Sequence, residues 1–251
     1  MFDLSGEVAL CTGGTSGIGR RMAWALSQAG ADVVLVGRRA DELREAAAEI
    51  NQSGRGCAAI LAADLLDRSA LPTIVPKASE HFGPPSILNN AAGMNPREPW
   101  DAISFESWDA TININLTVPF FLAQACAPHM IKNKRGRIIN IASLQSIRAF
   151  GNGISYGAAK GGVVQLTRAM AQSWSADGIT VNAILPGFFP TDLTAAVYKD
   201  KDVLAHHVKM TAIGRTGELE DLDGLTVFLA SKASDYITGQ TIPIDGGYSA
   251  K

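Results

Sequence analysis

The sequence predicts an α/β protein: one domain built on a doubly wound parallel sheet of about seven strands, with helices on both faces. Three observations carry this. Short apolar runs alternate with longer stretches of helical period along the whole chain. Runs such as Val33-Val34-Leu35-Val36 are apolar at every position, the pattern of a strand covered on both faces, as parallel strands are. No composition break, internal repeat or low-complexity linker divides the 251 residues.

The elements follow in order. Residues 8–11 are the first strand; a glycine-rich turn leads to a helix at about 18–28, with Gly30 as its C-terminal cap, since glycine enters the left-handed region freely. Residues 33–36 are the second strand, and a charged helix covers about 40–51. The third strand, 58–63, leads to Asp64; Pro72 and Pro76 obscure the next helix, placed at about 68–82 and ended by Pro84-Pro85. Residues 86–90 are the fourth strand, and a long helix runs over 105–132 with a bend expected at Pro119, which has no N–H to donate. The fifth strand is 137–142, a helix bearing Tyr156 and Lys160 extends to about 176, and the sixth strand is 179–185. Pro186-Gly187-Phe188-Phe189-Pro190 then breaks the pattern, so an irregular segment is expected to about Gly214. A helix at 218–231 and a strand at 241–245 complete the chain. With right-handed crossovers this order makes a Rossmann-type sheet, and the substrate site must come from loops at the carboxyl ends of the strands.

Composition narrows the function. The chain is 47% hydrophobic with net charge -2, pI about 6.1 and mean hydropathy +0.10. No basic run suggests nucleic acid. The N-terminal residues lack a signal-peptide pattern, and uninterrupted apolar runs are too short for a membrane span. The cysteines, Cys11, Cys57 and Cys126, are odd in number and far apart, which points to buried free thiols in a reducing cytoplasm. The four histidines lack partners at metal-ligand spacing, so no metal is expected.

Two stretches carry chemistry. Thr12-Gly13-Gly14-Thr15-Ser16-Gly17-Ile18-Gly19 joins the first strand to the first helix. Glycines let backbone approach a ligand, and the helix N-terminus offers free N–H groups to a pyrophosphate. No Lys-Ser or Lys-Thr follows, which disfavours a nucleotide triphosphatase. At the end of the second strand stand Arg38 and Arg39 rather than an acidic residue, a choice that favours the 2′-phosphate of NADP(H) over NAD(H). The other stretch is Tyr156-Gly157-Ala158-Ala159-Lys160. Its phenol and ammonium are four positions apart, on one helix face. A nearby cation favours the phenolate, which equips Tyr156 for proton transfer to a reacting oxygen. Ser143, thirteen positions upstream, is placed to hold that oxygen by a hydrogen bond.

With these pieces the chain resembles the short-chain dehydrogenase/reductase family over essentially its whole length. Thr12 to Gly19 matches the cofactor turn, including Gly13, Thr15, Ser16, Gly17, Ile18 and Gly19; Asp64-Leu65 matches the adenine-side acidic position. Asn90-Ala91-Ala92-Gly93 sits where the family usually has Asn-Asn-Ala-Gly; Ala91 replaces the second Asn, Asn89 lies one position early, and Asn90 is kept as the cofactor-side residue. Asn115 falls at the family's catalytic Asn, and Ser143, Tyr156 and Lys160 at its Ser, Tyr and Lys. Pro186, Gly187 and Thr191 match the nicotinamide-carboxamide segment, and Asp245-Gly246-Gly247 the C-terminal signature. The resemblance implies that Tyr156 exchanges the proton while hydride passes to or from the nicotinamide. It further implies that Lys160 lowers the Tyr pKa and binds the nicotinamide ribose, that Ser143 orients the substrate, and that Asn115 holds a water linked to Lys160. It also implies a homotetramer, with the helix of Tyr156 and the long helix before it at subunit interfaces. The small residues Gly157, Ala158, Ala159, Gly161 and Gly162 suit close helix packing.

Three segments, 94–100, 144–152 and 188–210, are expected to line the substrate pocket, with Arg97 or Arg148 available to clamp a carboxylate. Residues 187–214 are expected to act as a lid. Several stretches, among them Gln172-Ser173-Trp174-Ser175-Ala176, are most similar to sugar-acid and polyol dehydrogenases; the same signals are shared with 3-oxoacyl-carrier-protein reductases, the alternative reading. A catalytically silent NADP-binding sensor is the third, which the intact Ser143, Tyr156, Lys160 and Asn115 disfavour.

Overall fold

A computed structural model of the chain describes residues 1–53 and 55–251. The elements are β1 (Val8–Thr12), α1 (Gly17–Gln28), β2 (Asp32–Gly37), α2 (Ala40–Ser53), β3 (Ala58–Ala62), α3 (Leu71–Phe82) and β4 (Ile87–Asn90). They continue through α4 (Phe105–Ile112), α5 (Val118–Lys132), β5 (Gly136–Ile141), α6 (Ile154–Trp174), β6 (Ile179–Pro186), α7 (Ala195–Lys199), α8 (Lys201–Met210), α9 (Asp223–Ala230) and β7 (Thr241–Ile244). All strand pairs are parallel, in the order β3-β2-β1-β4-β5-β6-β7.

The two-residue period of the strands sorts their side chains onto two faces. Ala9, Cys11, Val33 and Leu35 pack with Met22 and Leu26 of α1, Leu43 and Ile50 of α2 and Leu229 of α9. The intervening residues Leu10, Val34 and Val36 join Leu88 of β4 and pack with Ile74 of α3, Leu122 and Met130 of α5 and Met170 of α6. In register Leu10 lies beside both Val34 and Leu88, which puts all three on one face. Each such large side chain, fully buried, stabilises the fold by about 1.5–3 kcal/mol.

Strand order reverses at β1, which lies between β2 and β4. The loops leaving β1 and β4 therefore part from each other at the carboxyl edge, and the crevice between them is where such sheets bind ligands.

The structure corrects several expectations. The segment after β6 is helical, not irregular: α7 and α8 occupy much of it, and Asp200 caps α8 by accepting the N–H groups of Asp202 and Val203. The proline cluster hid these helices because it interrupts the period only as far as residue 190. The break in the long helix is a wider, π-type turn at Asn113–Thr117, ahead of Pro119 and not at it. Pro119 sits in the first turn of α5, where it is tolerated, and has no N–H for the carbonyl of Asn115 four residues back. The third helix starts at Leu71 with Pro72 in its first turn, later than expected.

The stretch Phe105–Lys132 is long and apolar enough to cross a membrane by length and composition, but half of it is buried in the fold. Cys11 and Cys126 are buried, and burial pushes both thiols up to about 12; Cys57 is exposed, contrary to expectation, because it precedes the edge strand β3.

Candidate active site

A cleft of about 470 Å³ opens at the carboxyl ends of the strands. Its floor is the glycine turn. Gly13 and Gly17 hold φ of 70° and 55°, and a Cβ on Gly19 would lie 2.4 Å from the carbonyl oxygen of Gly13. Only glycine lets the turn close this tightly. Thr12 clips it to the β4 loop: its Oγ1 accepts the N–H groups of Ala91 and Ala92, each at 3.1 Å. Ser16 stands at the N-cap of α1 without capping it, and the first turn has no acidic residue. Among the described residues no N-cap side chain accepts the N–H groups of that turn, and they suit the pyrophosphate of a dinucleotide.

Gly13, Thr15, Ser16, Gly17, Ile18, Gly19, Arg38, Arg39, Asp64, Leu65, Ala91, Gly93, Pro186, Gly187 and Thr191 all line this cleft, as the sequence placed them. Asn90 does not line it. It is 3% exposed, and its amide donates to the carbonyl of Pro119 (3.2 Å) and to Oδ1 of Asn140 (2.9 Å), tying β4 to β5 and α5. The last residue of a central strand is enclosed by its neighbours, so its polar group is satisfied within the protein. Arg39 reaches over the turn, donating to Oγ1 of Thr15 (3.0 Å) and Oγ of Ser16 (3.2 Å) and pairing with Glu42 (3.0 Å). Asp192 was missed: its carboxylate accepts from Ser16 (3.1 Å) and stands 3.7 Å from Arg39, bridging the cleft's two walls. Phe189, read as a substrate-pocket aromatic, is instead buried behind the cofactor cleft. No motif flags either residue; their positions follow from how the segment after β6 folds back over the turn.

Asn115, Ser143, Tyr156 and Lys160 come from three separate parts of the chain. The helix α6 begins at Ile154, so Tyr156 lies in its first turn and Lys160 one turn later on the same face. The two are 8% and 3% exposed. Lys160 Nζ donates to the carbonyl of Ile141 at 2.6 Å and lies 5.7 Å from the Tyr156 ring centre. Burial lowers its pKa to about 7. Burial also raises the Tyr156 phenol above its ordinary value; a hydrogen bond with Ser143 and the charge of Arg97 pull it back. The Lys160 amine is itself desolvated and turned to the Ile141 carbonyl, and the charge of Arg97 favours the Tyr156 phenolate.

Ser143 follows β5 and accepts the N–H of Gln145 at 3.0 Å, which leaves its hydroxyl proton to donate. Asn115 sits in the π-type turn, completely buried, donating to the carbonyls of Met94 (2.8 Å) and Thr111 (2.9 Å). A Cβ on Gly93 would come 2.6 Å from Asn115 Oδ1 and 3.7 Å from Lys160 Nζ. Glycine at 93 therefore keeps open a gap between the amide and the amine. Close packing at Gly162, whose Cβ would lie 3.0 Å from Leu116, brings α6 against the same turn.

Beyond Tyr156 lies an aromatic box. The His207 ring of α8 stacks on Phe188 at 3.8 Å between centres, Phe150 meets Phe188 edge-on at 6.3 Å, and His207 Nδ1 is 3.2 Å from the Tyr248 hydroxyl. The two candidate arginines part here. Arg148 is engaged with the backbone carbonyls of Ser249 and Lys251. Arg97 has, among the described residues, no carboxylate partner, and its buried Nε has no acceptor.

Comparison with known proteins gives concordant matches. Residues 13–249 match the family model described as Enoyl-(Acyl carrier protein) reductase. The chain is 39% identical to a gluconate 5-dehydrogenase of Gluconobacter oxydans, covering 98% of this chain and 96% of that one. It is 41% identical to a 2-dehydro-3-deoxy-D-gluconate 5-dehydrogenase of Escherichia coli, covering 100% and 98%. The crystal structure of a gluconate 5-dehydrogenase from Burkholderia cenocepacia, in complex with NADP and tartrate, superposes with a TM-score of 0.93 at 36% identity, covering 100% of this chain and 98% of that one.

Proposed function

The chain belongs to the short-chain dehydrogenase/reductase family, and on that premise we propose that it oxidises and reduces a sugar acid at a secondary alcohol or ketone with NADP(H). The observation that carries this is the convergence of Ser143, Tyr156 and Lys160 beside a cleft whose floor suits a dinucleotide. Bound cofactor supplies or accepts the hydride. The glycine turn and the first turn of α1 hold its pyrophosphate, and Asp64 and Leu65 line its adenine end. Arg39, already on the rim with donors to spare, takes the 2′-phosphate. Ser143 and Tyr156 donate hydrogen bonds to the substrate oxygen, and Tyr156 gives or takes its proton. Lys160 and Asn115 border the gap at Gly93, which suits a water that relays that proton onward.

Sugar-acid chemistry is supported by the relatives' own substrates and by Arg97, a guanidinium whose charge acts on Tyr156 and which has no carboxylate partner among the described residues. A carrier-protein thioester is the alternative, since a 3-oxoacyl (acyl-carrier-protein) reductase of Agrobacterium tumefaciens also superposes, with a TM-score of 0.92 at 31% identity, covering 98% of this chain and 96% of that one. A panel of aldonates, polyols and acetoacetyl thioesters, run with both cofactors, tests the reading. We expect the highest kcat/KM with an aldonate or ketoaldonate, and NADP(H) favoured over NAD(H) by at least about tenfold, the worth of one charge-assisted contact. Activity confined to the thioester, or a preference for NAD(H), rejects it.

The same reading makes the enzyme a cytoplasmic homotetramer whose single domain carries its lid at residues 187–214. Phe105, Trp108 and Phe121 stand exposed on α4 and α5, apolar surface that a subunit contact would cover. Light scattering should give four times 26.4 kDa; a monomer would overturn the assembly.

A further inference from the structure

A second cavity, of about 790 Å³, opens at the amino ends of the strands and shares no residue with the catalytic cleft. Its walls are the turns that lead into β5 and β6 and the connection from α9 to β7. The two turns lock against each other. Lys134 and Gly178 hold φ of 50° and 89°, and a Cβ on Gly178 would lie 2.3 Å from the Lys134 carbonyl oxygen. The Gly136 N–H donates to the Gly178 carbonyl at 3.1 Å. A residue other than glycine held in the left-handed region costs about 1–3 kcal/mol. Here that backbone sets Lys134 and Arg135 at the cavity.

The charge lining the cavity is lopsided: Lys134, Arg135, Arg137 and Lys232 against Asp235, in a chain whose net charge is -2. Arg135 and Lys134 pair with Glu7 (2.5 Å) and Asp177 (2.7 Å), neither of which lines the cavity. Lys232 takes part in no ion pair among the described residues. Arg137 is the deepest of the four, 4% exposed. It donates to the carbonyls of Ser231 (3.4 Å) and Gly136 (3.0 Å) and pairs with Asp235, which engages three of its five N–H donors. Burial and then the charge of Arg135 hold its pKa below the ordinary value, while Asp235 and Glu7 act the other way. Thr180 stands beside it, because the two are register partners in β5 and β6 and project from one face of the sheet. Thr180 is 8% exposed and lines the cavity, and its buried hydroxyl has no partner among the described residues. Buried hydroxyls ordinarily have one.

We propose that this cavity is a binding site for a phosphate group, held at the wall by Arg137 and Thr180 and neutralised by Lys232 and Lys134. A planar, singly charged carboxylate would satisfy the arginine fork alone. A phosphate carries more charge and presents oxygens in further directions, which suits donors that arrive from β5, β6 and the α9–β7 connection. The cavity has room for the organic part of a phosphate ester as well as for the free ion. At their opposite ends β5 leads to Ser143 and β6 to Gly187, so an occupant here braces the two strands that frame the catalytic cleft. The site does not depend on which substrate that cleft takes.

The test is isothermal titration of the enzyme saturated with NADPH, so that the cofactor's own phosphate positions are filled. The probes are inorganic phosphate and glycerol 3-phosphate, with chloride and acetate at matched ionic strength. Wild type should take up phosphate saturably, with Kd of about 1 mM or below, and melt at a higher temperature in phosphate than in chloride. Thr180→Val keeps the shape and removes the hydroxyl, and Lys232→Met removes a charge at the rim. Each should weaken phosphate binding about tenfold, the worth of one charge-assisted contact, with NADPH affinity within twofold of wild type. Arg137→Lys keeps the charge and loses the fork, and should do the same; if it does not fold, Thr180→Val and Lys232→Met decide. Glycerol 3-phosphate binding more tightly than phosphate assigns the site to an ester, and equal or weaker binding assigns it to the free ion; both support the site. Phosphate heats no larger than those of chloride or acetate overturn the proposal. So does phosphate binding within twofold of wild type in either Thr180→Val or Lys232→Met.

Discussion

Tyr156→Phe should lower kcat by about 10³-fold or more in both directions while leaving the NADPH dissociation constant within about twofold of wild type. General acid–base catalysis by one positioned group contributes about 10²–10⁴, and the substitution removes only the hydroxyl. The pH dependence has a definite sign. Burial raises the phenol above its ordinary value, so Tyr156 is protonated throughout the neutral range. Ketone reduction, which needs that proton, should be flat from about pH 6 to 8. Alcohol oxidation, which needs the phenolate, should climb with pH as far as the protein tolerates. The Arg97 charge favours the phenolate, so in Arg97→Met the alkaline limb should move to higher pH. Stopped-flow assays in both directions check this. A Phe variant that retains the alkaline rise would show that another group handles the proton.

Lys160→Met should stabilise the protein as it inactivates it. The amine is almost wholly buried, with the Ile141 carbonyl as its hydrogen-bond acceptor, and its pKa falls from 10.5 to about 7. The folded state therefore disfavours the charged form. Below about pH 7 both folded and unfolded chains are protonated and the full penalty applies. Between about 7 and 10.5 the unfolded chain binds the extra proton, so stability from this group rises with pH. Every tenfold change in a protonation equilibrium is worth about 1.4 kcal/mol, which makes the penalty at neutral pH on the order of a few kcal/mol, offset in part by the lost hydrogen bond. We expect Tm to rise by about 5 °C at pH 7, and the upward slope of stability between about pH 7 and 10 to flatten. A lower Tm with an unchanged slope would mean that Lys160 is charged and well compensated in the free enzyme. Such a stabilising loss of function is what a functional charge held in a buried site produces.

Much of this protein is legible in the order of its residues. Continuous apolar runs of four to six residues mark strands, fully buried in the centre of the sheet and half-buried at the edge strand β3, and their alternation with helical periods fixes a parallel, doubly wound sheet. The glycine turn is equally local, because a turn that tight admits nothing larger: at Gly19 even a methyl group would collide with backbone. Tyr156 and Lys160 needed only the helical repeat to bring them to one face. These features are set by neighbours in sequence, so sequence alone determined them.

What the tertiary structure decided depends on groups that meet from distant parts of the chain. No spacing rule could separate Arg97 from Arg148; one is left without a carboxylate partner among the described residues, and the other is consumed by the C-terminal backbone. Asn90 matched its motif yet turned inward, because the strand end is enclosed by Asn140 and Pro119. The helices α7 and α8 were hidden behind a proline cluster, and with them the stacking of His207 on Phe188. Burial, Ser143 and Arg97 also act on the Tyr156 phenol from separate parts of the fold. A pKa is set by dielectric and by charges through space, which the linear order of residues does not encode. The sequence by itself determined a Rossmann-type sheet, its cofactor turn and the residue types of a proton-transfer site. Only folding decided which candidate arginine is tied to the C-terminal backbone and which keeps a buried Nε without an acceptor, because burial and long-range proximity exist only once the sheet and its loops have closed around them.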